Sequence, residues 1–184
     1  MATSKINICS NALILLGDRP ISSFDEPGAG AQTASNLYES SYINLLSMHR
    51  WRFASKKVQL SKLSAKPLNQ YQYQYQLPTD MVAMITDYPI DDYELYGDKL
   101  YSNNGAVSID YVCRLDESQL PLWFTKTMEF YLAMQFAIPV TGNSSRLGEM
   151  QQLWSQQLRS AKNIDSTIRP NAGIFDSPFT SIRW

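Results

Sequence analysis

The chain has 184 residues, a size that fits one domain or one domain with an appendage. Its formal charge of -1 gives no bulk attraction for phosphate, and Lys and Arg are scattered, which argues against a nucleic-acid gripper. The apolar runs fall short of the ~20 residues a membrane span needs. The stretch after Met1–Lys5 is broken by Asn7, Ser10 and Asn11, unlike a signal peptide.

In chain order, Ser4 caps a first helix that runs to about Leu16, with Ile6, Cys9, Leu13 and Leu16 on its buried face. Gly17 stops it and Pro20 keeps it from resuming. A loop over Ile21–Gly30 leads to a second helix, from about Ala31 to His49. Its apolar stripe is Ala34, Leu37, Tyr38, Tyr42, Leu45 and Met48. Cys9 and Cys113 lie far apart and read as small buried hydrophobes in a reducing cytosol.

Arg50, Trp51, Arg52 and Phe53 alternate polar and aromatic, which reads as the entry to a strand through about Leu60. A sharper signal follows. Tyr71-Gln72-Tyr73-Gln74-Tyr75-Gln76-Leu77 alternates with a strict period of two, and Pro78 closes it. On a strand, the tyrosines and Leu77 share one face, and Gln72, Gln74 and Gln76 share the other. The tyrosine face is expected to pack toward the helices. The amide face suits contact with another protein better than a reaction. Met81–Ile85 reads as a short apolar strand or turn, and Tyr93–Tyr96 with Lys99–Tyr101 as a hairpin around Gly97-Asp98. Asn103-Asn104-Gly105 is a turn, followed by the alternation Val107, Ile109, Tyr111, Cys113.

Helix returns after Leu120-Pro121, lined by Trp123, Met128, Tyr131, Leu132 and Phe136, and is expected to end at Pro139 and Gly142. A last helix runs from about Ser144 to Ile164, with Leu147, Met150, Trp154 and Leu158 on one side. The final segment, Asp165–Trp184, holds Pro170, Gly173 and Pro178. It also holds Ile168, Ile174, Phe175, Phe179, Ile182 and Trp184. A solvated tail rarely carries so many large apolar groups, so this reads as an arm that docks on its own core or a neighbouring chain. The fold class is α+β. A mainly helical bundle (1–50 and 120–164) carries an inserted antiparallel sheet (51–119) and a C-terminal arm (165–184).

Chemistry is sparse. His49 is the single histidine and no ligand spacing surrounds it or the cysteines, so no metal or cofactor is expected. Gly28-Ala29-Gly30 lacks the third glycine and the Gly-Lys-Ser/Thr ending of a phosphate loop. Asp91, Asp92 and Glu94 form an acidic cluster without calcium-loop spacing. No serine sits in a nucleophile elbow. Glu26, with Asp25, and Glu129 are the carboxylates to weigh for hydrolysis. The tyrosine face lacks the interleaved Arg and Lys that base stacking uses.

The order of signals carries a resemblance. Asn11-Ala12-Leu13 through Leu16-Gly17 is followed by Pro20-Ile21-Ser22-Ser23-Phe24-Asp25-Glu26. An Ala/Tyr helix then ends in Leu45-Leu46-Ser47-Met48-His49-Arg50-Trp51-Arg52-Phe53-Ala54, before Tyr71–Pro78 with Thr79-Asp80. This resembles the tail tubular protein A family of short-tailed, podovirus-like phages, across nearly the whole chain. The resemblance implies a virion tail protein, assembled in the host cytoplasm, that forms a dodecameric adaptor or gatekeeper ring. It implies as partners the portal protein, the tail nozzle (tail tubular protein B), tail fibres and its own copies. DNA passes through without specific binding, and no membrane is involved. Ile174, Phe175, Phe179, Ile182 and Trp184 become portal-binding or intersubunit residues. Gln72, Gln74 and Gln76 become nozzle, fibre or intersubunit contacts. On this reading there is no catalytic centre. The rival readings are a tail-associated peptidoglycan hydrolase acting through Glu26 or Glu129, and a nucleic-acid-binding module.

Overall fold

The computed structural model describes residues 4–85 and 93–168. Its fold is α+β: four helices and two small antiparallel sheets.

Helix α1 spans Lys5–Leu16. Ser4 Oγ accepts from the Asn7 amide at 3.2 Å, satisfying one of the open donors of the first turn. At the other end Gly17 takes φ 83°. Its amide reaches Ile14 O at 2.9 Å and the Asp18 amide reaches Leu13 O at 3.0 Å, a Schellman closure that requires a left-handed residue. Helix α2 spans Ala29–Ser47, two residues earlier at each end than the sequence suggests. Its buried stripe is Ala34, Tyr38, Tyr42 and Leu45, as expected, whereas Met48 falls beyond the helix and is exposed.

Helix α3 spans Leu122–Thr141 and α4 spans Ser144–Thr167. Pro139 does not stop α3. It lies inside the last turn, where it removes one i→i−4 hydrogen bond without ending the helix, which closes at Gly142 with φ 63°. α4 runs past Ile164, so Asp165 belongs to its last turn rather than to an arm. Helices α1, α2 and α4 all pack on α3 around a core that includes Ile8, Leu13, Tyr42, Leu46, Met128 and Phe136.

The strand expected to begin at Trp51 begins later. Arg52–Ala54 is a 3₁₀ turn and β1 spans Ser55–Gln59. The reason is Trp51. It is fully buried, its indole N–H donates to Leu45 O at 2.9 Å, and its ring lies 5.1 Å from Phe124 and 6.0 Å from Trp123. Phe53 joins the same cluster, 4.7 Å from Phe124 and 5.2 Å from Trp123. The aromatic alternation therefore feeds the helical core before the chain becomes a strand.

The remaining strands are β2 (Ser61–Lys62), β3 (Tyr73–Gln76), β4 (Met81–Met84), β5 (Tyr93–Tyr96), β6 (Lys99–Ser102) and β7 (Ser108–Cys113). They form two sheets rather than one: an inner sheet ordered β1-β7-β4 and an outer sheet ordered β2-β3-β6-β5, all antiparallel. Strand β7 is the middle layer. Its Val112 faces the helical core, while Ile109, Tyr111 and Cys113 join a second core with Leu60, Tyr75, Leu77 and Leu100. Leu60, whose amide reaches Val107 O at 2.8 Å, carries the chain from the inner sheet to the outer one.

This corrects the expectation for the tyrosine strand. Tyr75 and Leu77 are buried against the inner sheet, not against the helices. Both cysteines are fully buried and unpaired with each other, and burial pushes the Cys9 thiol up to about 12.

Candidate partner interface

The outer sheet's register sets its two faces, because cross-strand partners share a side. Tyr75 pairs with Leu100, and Leu100 with Leu95, all on the inward side. Gln74 pairs with Tyr101 and Tyr101 with Glu94; Gln76 pairs with Lys99 and Lys99 with Tyr96, all on the outward side. Gln74 and Gln76 thus share the outward face, as the period-two pattern requires. They are not equally available. Gln74 is buried and its Nε2 donates to Ala65 O at 2.9 Å, pinning the chain between β2 and β3 over it. The Gln76 Nε2 donates to Asp98 O at 3.1 Å and Oδ2 at 3.0 Å. This holds the Asp98 carboxyl below its usual value. Gln72 lies before β3, with an exposed side chain, its amide held by Asn103 Oδ1 at 3.0 Å.

Sequence reasoning missed what surrounds the glutamines. A concavity of about 560 Å³ on this face is lined by Lys66, Leu68, Gln74, Tyr96, Lys99 and Tyr101, among others. Tyr96 and Tyr101 meet edge to face at 5.6 Å, and Leu68 is fully exposed. The signal was present. A two-residue turn at Gly97-Asp98 forces Tyr96 opposite Lys99, which sets the phase of the whole hairpin. On the inward side of β5, Leu95 and Tyr93 remain partly exposed at the sheet's edge. Among the described residues, β5 pairs only with β6.

The arm residues Ile174, Phe175, Phe179, Ile182 and Trp184 lie outside the described residues, as do Asp91 and Asp92. The arm's root is described. Asp165 is almost fully buried at the end of α4. Both of its carboxylate oxygens accept from the Arg52 amide at 3.0 Å, and His49 Nε2 is 3.7 Å away. The Arg52 guanidinium donates to Ser166 O. His49 packs edge-on against Trp51 at 4.9 Å. The last turn of α4 is therefore tied to the junction between α2 and β1.

Burial, then the Lys162 and Arg52 charges, lower the His49 pKa below its ordinary 6.5, against the pull of Asp165. A depressed histidine favours the neutral form in the folded chain. Its stability contribution is present above pH 6.5 and is lost as pH falls through the lower folded value. The expected result is a melting temperature that falls between about pH 7.5 and about pH 5.5 in the native chain and falls less in His49→Gln. Equal slopes would contradict it.

Both candidate carboxylates are engaged in local hydrogen bonds. Glu26 Oε1 accepts from the Ser22 amide at 2.7 Å and the Ser23 amide at 3.0 Å, closing the loop between α1 and α2. Glu129 is buried, accepting from Asn11 Nδ2 at 2.6 Å and from Lys126 Nζ at 2.8 Å, which ties α1 to α3. The two carboxylates line different concavities. A second charged network holds the sheets to the helices. Arg114 stacks on the Tyr42 ring at 4.3 Å and bonds Glu39 at 2.9 Å and Glu117 at 2.7 Å. Among the described residues, no group of three His, Cys, Asp or Glu is placed to hold a metal ion, and no helix is long and apolar enough to cross a membrane.

No protein-family model matches this chain, and no curated protein matches it.

Proposed function

We propose that the chain is a structural subunit of the adaptor ring of a short-tailed phage, joining the portal to the tail nozzle around the DNA exit channel. The subunit has no catalytic role on this reading. It works through surfaces: the outer sheet meets the nozzle or fibres, and the C-terminal arm meets the portal or the next subunit.

The observation that carries the proposal is where the large exposed apolar groups sit. Leu68 and Tyr96 lie on the outward sheet face beside Gln74, and Leu95 on the inward side of the edge strand β5. Ile14 and Leu122 lie on the helical body, and Ile168 at the arm's root. Such groups in separate patches suit a subunit that meets different partners on different sides. Tyr and Gln on one face give an apolar body with polar tips, suited to an interface that forms from two water-exposed surfaces. The near-neutral charge suits a channel that must release DNA.

The test is binding of the purified chain to nozzle and portal proteins. Tyr96→Asp places a charge on the outward sheet face without touching either core. It is expected to weaken nozzle association at least ~10-fold, about 1.4 kcal/mol, and leave portal association unchanged. Undiminished nozzle binding would remove the sheet face from the interface.

A further inference from the structure

The concavity on the outward face of the outer sheet has a chemistry of its own. Two lysines line it from separate elements, Lys66 from the connection between β2 and β3 and Lys99 from β6. The same lining presents the edge-to-face rings of Tyr96 and Tyr101 and the fully exposed Leu68. Its volume of about 560 Å³ gives room for a few side chains.

The connection that carries Lys66 and Leu68 is pinned. Gln74 Nε2 donates to Ala65 O at 2.9 Å, the Leu63 amide donates to Gln74 O at 2.9 Å, and the Tyr71 amide donates to Asn69 Oδ1 at 3.2 Å. Leu68 is therefore held out to water beside two tyrosines, an apolar area that a partner would gain by covering. The lysines are equally unspent. Asp98 is the nearest acid to Lys99 in sequence, but Gln76 Nε2 donates to its Oδ2 at 3.0 Å. Among the described residues neither Lys66 nor Lys99 has an ion-pair partner, and no acidic residue lines the concavity.

We infer that this concavity receives a segment of a partner protein in which carboxylates flank an apolar anchor. The anchor covers Leu68, Tyr96 and Tyr101, and the carboxylates meet Lys66 and Lys99. The inference rests on reading the outer sheet as a partner surface, and on nothing about a ring or a channel. The same observations weigh against a nucleic acid. A continuous run of phosphates would also meet Glu94, which shares the outward face opposite Tyr101, and Asp98 at the turn. Arginine, the bidentate phosphate partner, is absent from the lining. Leu68 would gain nothing from a sugar–phosphate backbone.

The experiment titrates the full chain, labelled with ¹⁵N, with a short synthetic peptide in which a Leu-Trp pair is flanked on each side by Asp-Glu. The expected result is saturable binding that moves the amides of Gln74, Tyr96, Lys99 and Tyr101 and weakens as salt rises. Lys66→Glu with Lys99→Glu should weaken it at least ~10-fold, and Lys66→Gln with Lys99→Gln by a smaller factor. Amides of the helical body that keep their positions report an intact fold in both. A peptide with Lys-Arg in place of Asp-Glu should not bind. Undiminished binding in both lysine variants would overturn the proposal. So would tighter binding of an alginate fragment or of single-stranded DNA at the same amides. If the peptide fails while Tyr96→Asp still weakens nozzle association, the acidic chemistry is overturned and the face remains a partner surface. If the peptide binds as expected and the lysine variants leave nozzle association unchanged, the concavity keeps its ligand class and the nozzle loses its claim to it.

Discussion

Truncation after Ile168 is expected to leave a folded chain that no longer joins the portal. The removed residues lie beyond the last turn of α4, and every described core contact is retained. Melting should stay within roughly 2 °C of the full chain, the range of changes away from buried features. On the proposed adaptor role, portal association should be lost, because the cut removes Phe175, Phe179 and Trp184, the residue types that dominate such interfaces. The place of the cut matters. Truncation after Ile164 also removes Asp165 and strands the Arg52 amide, costing about 1–3 kcal/mol. A chain cut after Ile168 that still binds the portal would remove the arm from the interface. Calorimetry on both truncations separates lost binding from lost folding.

Trp51→Ala should give the largest stability loss of any single change considered. The indole is fully buried among Phe53, Trp123 and Phe124, and it donates to Leu45 O. Truncation leaves a cavity and removes one of the two donors to Leu45 O, the Met48 amide remaining, at a cost of about 3–5 kcal/mol. For a chain of this size that lowers the melting temperature by roughly 6–20 °C. Trp51 sits where α2 turns into β1 and beside the arm's root, so the loss should also loosen Asp165. A denaturant midpoint close to wild type would show that the aromatic cluster is not the keystone of the junction. Trp51→Phe keeps the burial but loses the indole N–H, and should fall between the two.

Helices and the hairpin were legible because their signals are local. Ser4, Gly17 and Gly142 act through backbone groups within one turn, and Gly97 through a two-residue loop. The alternation placed the side chains of Tyr73–Gln76 on the faces that the register shows, although the strand is shorter than the pattern Tyr71–Leu77. What lay beyond reach was which layer each face meets. That depends on β7, whose Val112 serves one core and whose Ile109 and Tyr111 serve another. The alternation of β7 could be read, but alternation says which side chains share a face and not which layer that face meets. Trp51 misled for a related reason: alternating aromatics look like a strand whether they line a sheet or enter a helical core. On the candidate surface, Gln74 was named as a contact but is spent on Ala65 O, a bond to a loop whose path no periodicity encodes. Tyr96, Tyr101 and Leu68 came into view only once the register joined β3 to the hairpin.

Assembly is the property on which everything else depends, and mass reports it most directly. Native mass measurement of the isolated chain at low micromolar concentration is expected to give a single 21.0 kDa subunit. Mixed with portal protein, the same chain should add as a twelvefold ring, and that complex should then take up the nozzle. A chain that stays at one subunit mass in the presence of both proteins would contradict the account.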